Sequence, residues 1–243
     1  MIRVNKGFYR TFDKTLVWNP SSVPGLGLIE PGETGSSIFT FNILEPLPVS
    51  GANDRDFLIT AEAQMKGKGS SAELGETEIQ NYISENVKVS SLLQLANRAL
   101  YYSGSISNSG PMPPKAGTET SYSVVWSIGN ASNDFSGVKV RAILPSYVKW
   151  TGNIFPSGEN ISFNETTGEV IWNAGNIGAG TGVVNPAKEV SFQISFLPSL
   201  GQIGSVPVLV SDVNIEGKDN FTGNFISEGK QDLDIRLTND PLF

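Results

Sequence analysis

The chain has 243 residues, 39% of them hydrophobic, with 26 glycines and 14 prolines but only 17% charged residues. This balance excludes wholesale disorder and a helical bundle, and suits short strands joined by Gly/Pro turns in one large domain or two ordinary ones. A formal net charge of −7 argues against nucleic acid and anionic membrane surfaces as partners, and the lack of Cys and His removes thiolate nucleophiles, Cys or His metal sites and Ser-His-Asp triads.

The opening Met1-Ile2-Arg3-Val4-Asn5-Lys6 has no apolar signal region. No segment reaches the roughly 18–20 apolar residues of a membrane span. If the protein is exported, its signal and anchor are expected outside this sequence. Leu16-Val17-Trp18-Asn19 reads as a strand preceded by Tyr9 and a polar turn. A proline loop at Pro31 follows, then an alternating strand through Phe39, Phe41 and Ile43. Ser90–Leu100 is the one helical candidate; it is read as a strand because its later counterpart alternates and contains Pro241. Pro113-Pro114 removes two ladder donors and suits a junction or a sheet edge.

From residue 120 onward the period-two signal is regular. Tyr122, Val124 and Trp126 alternate with Ser121, Ser123 and Ser127, which predicts a half-buried strand. Val138, Val140 and Ala142 predict the next, ending at Pro145. Short strands follow at Val148–Trp150, Ile161–Phe163 and Val170–Trp172. Longer ones are expected over 188–197, 205–215 and through Leu233, Ile235 and Leu237. About eight strands with turns every 8–12 residues predict an antiparallel sandwich or barrel.

The chain also repeats itself. Val170-Ile171-Trp172-Asn173 returns the pattern of residues 16–19, with Phe163 in the place of Tyr9 and Pro186 in that of Pro31. Phe192, Ile194 and Phe196 match Phe39, Phe41 and Ile43. Ile215-Glu216-Gly217-Lys218 matches Met65-Lys66-Gly67-Lys68, and Ile226-Ser227-Glu228 matches Ile83-Ser84-Glu85. Residues 235–243 match 93–101. The offset drifts from 154 near the tryptophans to 142 at the end, as loops of unequal length would cause. The expected units are therefore 1–101, the later part of a unit without its opening strands, and 102–243, a complete one. Trp18 and Trp172, alternating with polar neighbours, read as core anchors.

Residues 108–115, Gly117-Thr118-Glu119-Thr120-Ser121-Tyr122, Trp126-Ser127-Ile128-Gly129-Asn130, Val148-Lys149-Trp150 and Gly168-Glu169-Val170-Ile171-Trp172-Asn173 carry a wider likeness. Together they resemble the conserved repeat domains of large bacterial and archaeal cell-surface proteins. That resemblance implies all-β architecture made of tandem immunoglobulin-like antiparallel β-sandwiches. It covers 102–243 and, through the internal repeat, most of 1–101. It implies no functional residues.

Catalytic patterns are thin. Ser146-Tyr147-Val148-Lys149 has the Ser-x-x-Lys spacing of some acyl-transfer enzymes, without the companion motifs. Gly178-Ala179-Gly180-Thr181-Gly182 precedes a strand, so it lacks the helix start of a phosphate loop. The chain is read as no enzyme. Acidic and amide oxygens cluster at residues 53–56 and 212–220, and calcium takes six to eight such oxygens. Asp54, Asp56, Asp212 and Asp219 are the calcium candidates, and no other cofactor is implied. Lys149, Lys188 and Lys218 are candidates for an isopeptide cross-link, and Asn130, Asn160, Asn164 and Asn220 begin glycan-acceptor triplets. Three functional readings stand: a stalk or spacer module of a surface protein, partnered by neighbouring modules; an adhesin or carbohydrate-binding module using exposed aromatics such as Tyr101, Tyr102 and Tyr147; or an ancillary domain of a secreted hydrolase.

Overall fold

The computed structural model describes residues 2–43, 48–51, 53–71, 75–238 and 240–242, without the side chains of 70 and 71. It divides into two compact units, Met1–Pro48 and Val49–Phe243. All its strand pairs are antiparallel.

The first unit holds four three-residue strands: β1 (Ile2–Val4), β2 (Phe8–Arg10), β3 (Thr15–Val17) and β4 (Phe39–Phe41). β1 pairs with β4 and β2 with β3. None of its described residues is buried, and Ile2, Phe8, Phe39 and Phe41 are each about two-fifths exposed. Two-stranded ribbons this short are marginal without a covering layer. Trp18 is only half-buried here, so it is not the core anchor that its alternation predicts. Its indole N–H donates to the Asn5 carbonyl at 3.0 Å.

The second unit begins with a long hairpin, β5 (Leu58–Ser71) and β6 (Gly75–Lys88), paired over its whole length. The sandwich follows. β7 (Leu93–Leu100), β8 (Thr120–Asn130), β9 (Phe135–Ile143), β10 (Val148–Phe155), β11 (Ile161–Asn164), β12 (Glu169–Ile177), β13 (Lys188–Phe196), β14 (Val208–Asp219), β15 (Phe225–Gly229) and β16 (Leu233–Asp234) make two sheets. One has the order β10-β13-β8-β7. The other has the order β11-β12-β9-β14-β15, with β16 against the start of β14. The chain crosses between sheets after β8, β9, β10, β12 and β13, which places strands distant in sequence side by side.

Alternation explains the core. Tyr122, Val124, Trp126 and Ile128 of β8 and Val190, Phe192, Ile194 and Phe196 of β13 point inward from one sheet. Phe135, Val138 and Val140, Val170 and Trp172, and Val213 and Ile215 oppose them from the other. Trp126 meets Phe192 edge-on at 4.9 Å between centroids and donates its N–H to Asn97 Oδ1. Trp172 is fully buried and donates to Glu159 Oε2 at 2.8 Å. Each indole is thus buried with its polar atom satisfied.

Four expectations are corrected. A boundary after residue 101 does not hold: β7 pairs with β8 along its full length, so residues 93–100 belong to the sandwich that follows them. The outer face of β8 is not wet. Ser121 and Ser123 are buried because the 103–116 connection lies over them, with Ser123 Oγ donating to Ile106 O and Ser109 N to Ser121 Oγ. The last strand is short, since Ile235 and Arg236 turn and Leu237 has a φ of 48°. Strand β14 runs on to Asp219, past the expected end at 215.

Several pairings of the two matched stretches run alike. Tyr9 faces Leu16 and Arg10 faces Thr15, as Phe163 faces Val170 and Asn164 faces Glu169. The indoles of Trp18 and Trp172 both bond the residue thirteen positions earlier. β1 pairs with β4 as β10 pairs with β13, and β5 with β6 as β14 with β15. In the last case the motifs are displaced: Ile79, four residues before Ile83, faces Gly67 where Ile226 faces Gly217. An even displacement keeps every side chain on its face.

Two substitutions test this packing by urea unfolding. Trp126→Ala is expected to cost about 3–5 kcal/mol through cavity formation. Tyr122 is fully buried, and its hydroxyl has no hydrogen-bond partner among the described residues. Tyr122→Phe is therefore expected to be neutral or to stabilise by about 1 kcal/mol, since it removes an unmet desolvation cost.

Candidate functional site

The four calcium candidates lie in four separate structural roles. Asp54 caps a tight turn, its Oδ2 accepting from Ser50 N, Ser50 Oγ and Gly51 N at 2.8–2.9 Å. Asp56 has a φ of 54° and pairs with Arg55, which also pairs with Asp134 at 2.7 Å. Asp212 is exposed and has a φ of 52° where the ladder from β14 to β9 shifts register, which marks a bulge. Among the described residues no three acidic side chains converge on one point.

Asp219 is the exception in depth and in connectivity. It ends β14, is fully buried, and lies where the β14–β15 turn, the entry to β7 and the β8–β9 connection meet. Oδ2 accepts from Ser91 N at 2.9 Å and Asn133 Nδ2 at 2.8 Å. Oδ1 accepts from Phe221 N at 2.9 Å and Thr222 N at 3.0 Å. Around it, Asn133 Nδ2 also reaches Val89 O, and Ser91 Oγ donates to Asn130 Oδ1. Asn130 in turn donates to the Gly178 carbonyl at 2.9 Å. Four donors surround this carboxylate, so its negative charge is met by the chain's own N–H groups. Sequence reading placed Asp219 in an acidic cluster. The better signal was Asp219 opening a polar turn, Asn220 to Gly223, between two strands.

Burial alone would raise the Asp219 carboxyl, but donation from Ser91, Thr222, Asn133 and Phe221 outweighs it and holds the group below its ordinary value. Asp240 shows the same balance: burial raises it, and Ser103, Tyr102, Tyr101 and Leu242 more than compensate. At Asp134 the Ala179 amide is the main lowering contact, opposed by burial and aided by Arg55.

The other candidates are dispersed. The amides of Ala179, Gly180, Thr181 and Gly182 already donate to Asp134 Oδ1, Ala131 O, Gly178 O and Asn185 O, so this loop presents no open anion cradle. Ser146 precedes β10, and Lys149 is exposed on it. Lys188 donates to Ala174 O at 2.8 Å and lies 3.7 Å from Glu159; Lys218 is exposed. Asn130 is buried, which removes it as a glycan acceptor, while Asn160, Asn164 and Asn220 are exposed. Tyr101 packs edge-on to Tyr102 at 4.8 Å, and Tyr147 donates to Val208 O. A groove of about 310 Å³ runs between β7 and residues 230–238, with Asn97, Lys230, Asp232 and Arg236 on its walls.

No family model matches the chain, and no curated protein matches it. Among solved structures it is similar to a variant of BcpA, the major pilin subunit of Bacillus cereus, at 10% identity and a TM-score of 0.38 over 76% of this chain. The chain spans 66% of that subunit's length.

Removing the Asp219 carboxylate by Asp219→Ala strands four donors and is expected to cost roughly 3 kcal/mol or more in urea unfolding. The pH dependence has a definite sign. A carboxyl lowered in the folded state stabilises fully above its unfolded value of about 3.9, and that stability is lost as pH falls through the folded value. The unfolding midpoint is expected to hold from pH 7 to about 5 and to fall below about pH 4. Asp219→Ala should flatten that acid limb.

Proposed function

We propose that the chain is a structural spacer or stalk module of a repetitive cell-surface or envelope protein, built from immunoglobulin-like sandwiches and without catalysis. The observation that carries this reading is the repetition of pairing, with β1 to β6 matching β10 to β15 in order and in hairpin register at Tyr9–Leu16 and Phe163–Val170. Chains that duplicate one sandwich build length rather than a reaction centre. The strand order, with sheet crossings after β8, β9, β10, β12 and β13, suits the immunoglobulin-like class.

Chemistry supports the same reading. The shifted carboxylates at Asp134, Asp219 and Asp240 are all taken up by the chain's own donors: backbone amides at each, with Arg55 at Asp134, the Asn133 side chain at Asp219 and the Ser103 hydroxyl at Asp240. Catalytic carboxyls are instead tuned toward a reacting group. On this proposal the partners are neighbouring modules of the same protein, the location is extracellular, and the acidic clusters serve turns rather than calcium.

Antibodies raised against this chain are expected to label intact producing cells; labelling confined to permeabilised cells would sink the surface assignment. Thermal unfolding in calcium and in chelator is expected to give midpoints within about one degree. A rise of several degrees in calcium would instead reveal a specific native-state site.

A further inference from the structure

The β5–β6 ribbon is amphipathic in a way that its surroundings do not use. Ile59, Ala63, Met65, Ile79, Ile83 and Val87 share one face by alternation and pairing. Asn81 and Glu85 interrupt that face, while Glu62, Lys66, Lys68 and Glu76 lie on the other beside Leu58 and Tyr82. On the apolar face Met65, Ile79, Ile83 and Val87 are more than half exposed. A two-stranded ribbon does not stabilise such a face alone, and an open apolar edge strand invites pairing.

The second copy shows what covers the equivalent surface. There β14 stands for β5, and its edge away from β15 is occupied by β9. Gly217, the counterpart of Gly67, lies beneath side chains of that strand. A Cβ built on it would meet Val138 Cγ2 at 2.9 Å, Phe135 Cδ1 at 3.3 Å and Leu93 Cδ2 at 3.4 Å. The same construction at Gly67 meets nothing within 4 Å. The glycine is present in both copies, while its covering is present in one.

We infer that the β5 edge and the apolar face around Gly67 are a docking site for a strand of the β9 kind, contributed by another unit of the same repeat. The incoming strand adds to the β5 edge by backbone pairing and seats an apolar side chain over Gly67, as Phe135 and Val138 do over Gly217. A second folded copy of this chain is a poor donor: its Phe135, Val138 and Val140 are already fully buried between β12 and β14. Charge adds a specification. Glu216 of β14 faces Lys139 of β9, and the place of Glu216 is taken in β5 by Lys66. The donor strand therefore carries an acid opposite Lys66, since like charges directly across a ladder repel. The inference rests on the repeat pairing and not on cellular location, so the labelling experiment above does not decide it.

The test joins a second copy of residues 93–147, bearing Lys139→Glu, ahead of residue 2 through a Gly/Ser linker, on the otherwise complete chain. The tether supplies a high effective concentration. Amide hydrogen exchange over residues 58–69 is compared with that of the unmodified chain. Exchange there is expected to slow by about tenfold or more. Adding Gly67→Val, which meets open space in the unmodified chain, is expected to restore fast exchange while leaving the unfolding midpoint of the sandwich unchanged. Unchanged exchange in the fusion would overturn the inference. So would slowing that survives Gly67→Val, or an unmodified chain that is already dimeric with residues 58–69 protected.

Discussion

The sandwich is organised around carboxylates that have given up their solvent. Asp219 receives four N–H donors from three chain segments far apart in sequence, and it does so in a fully buried position. The opposite end of β7 is held in the same way: Asp240 accepts from Tyr101 N at 2.7 Å, Tyr102 N at 2.8 Å and Ser103 Oγ at 2.6 Å. Strand β7 is thus tied at both ends to side chains from the last quarter of the chain. Hydrophobic burial supplies most of the driving force for such a core, and its period-two pattern sets which face each strand turns inward. These charged contacts reinforce the register, because a slip by one residue would also strand buried donors and a buried charge.

That tie also explains which parts of the fold were legible in the sequence. The strands from Tyr122 to Lys218 are readable because their core-facing residues recur with period two; in β9 the outward residues are also solvated, whereas β8 and β13 are buried on both faces. Ser121 and Ser123 misled for a physical reason. Polar residues on a strand signal a wet face only when water is the layer outside, and here residues 103–116 form that layer. The likeness of 93–101 to 235–243 is real as pattern, yet it marks a strand that pairs forward in the chain, which no local period reveals. The role of Asp219 was hidden differently: a carboxylate that caps turns and one that binds an ion have the same composition around them, and only the direction of the neighbouring donors separates them.

The two stretches that share a sequence pattern differ in burial. Around Trp172 the pattern closes a core, with the indole fully buried and stacked aromatics such as Trp150 and Phe163 at 5.7 Å nearby. Around Trp18 the same hairpin register persists, but the indole is only half-buried and donates to the Asn5 main-chain carbonyl instead of a carboxylate. Hairpin register is therefore alike in the two stretches, while the burial around each tryptophan differs.

The passage from β6 to β7 bears on how the ribbon is held to the sandwich. Residues 89–92 are not a free swivel. Val89 N donates to Phe57 O, Val89 O accepts from Asn133, Ser91 N is held by Asp219, and Leu92 O accepts from Ala131 N. Lys88 adds a bond to Phe221 O and lies 4.7 Å over the Phe221 ring. A tether with so few unrestrained dihedrals has little rotational entropy to lose, so the ribbon and the sandwich behave mechanically as one lever rather than as beads on a string. The angle between the ribbon and the sandwich is thus governed by a handful of polar contacts at residues 88–92.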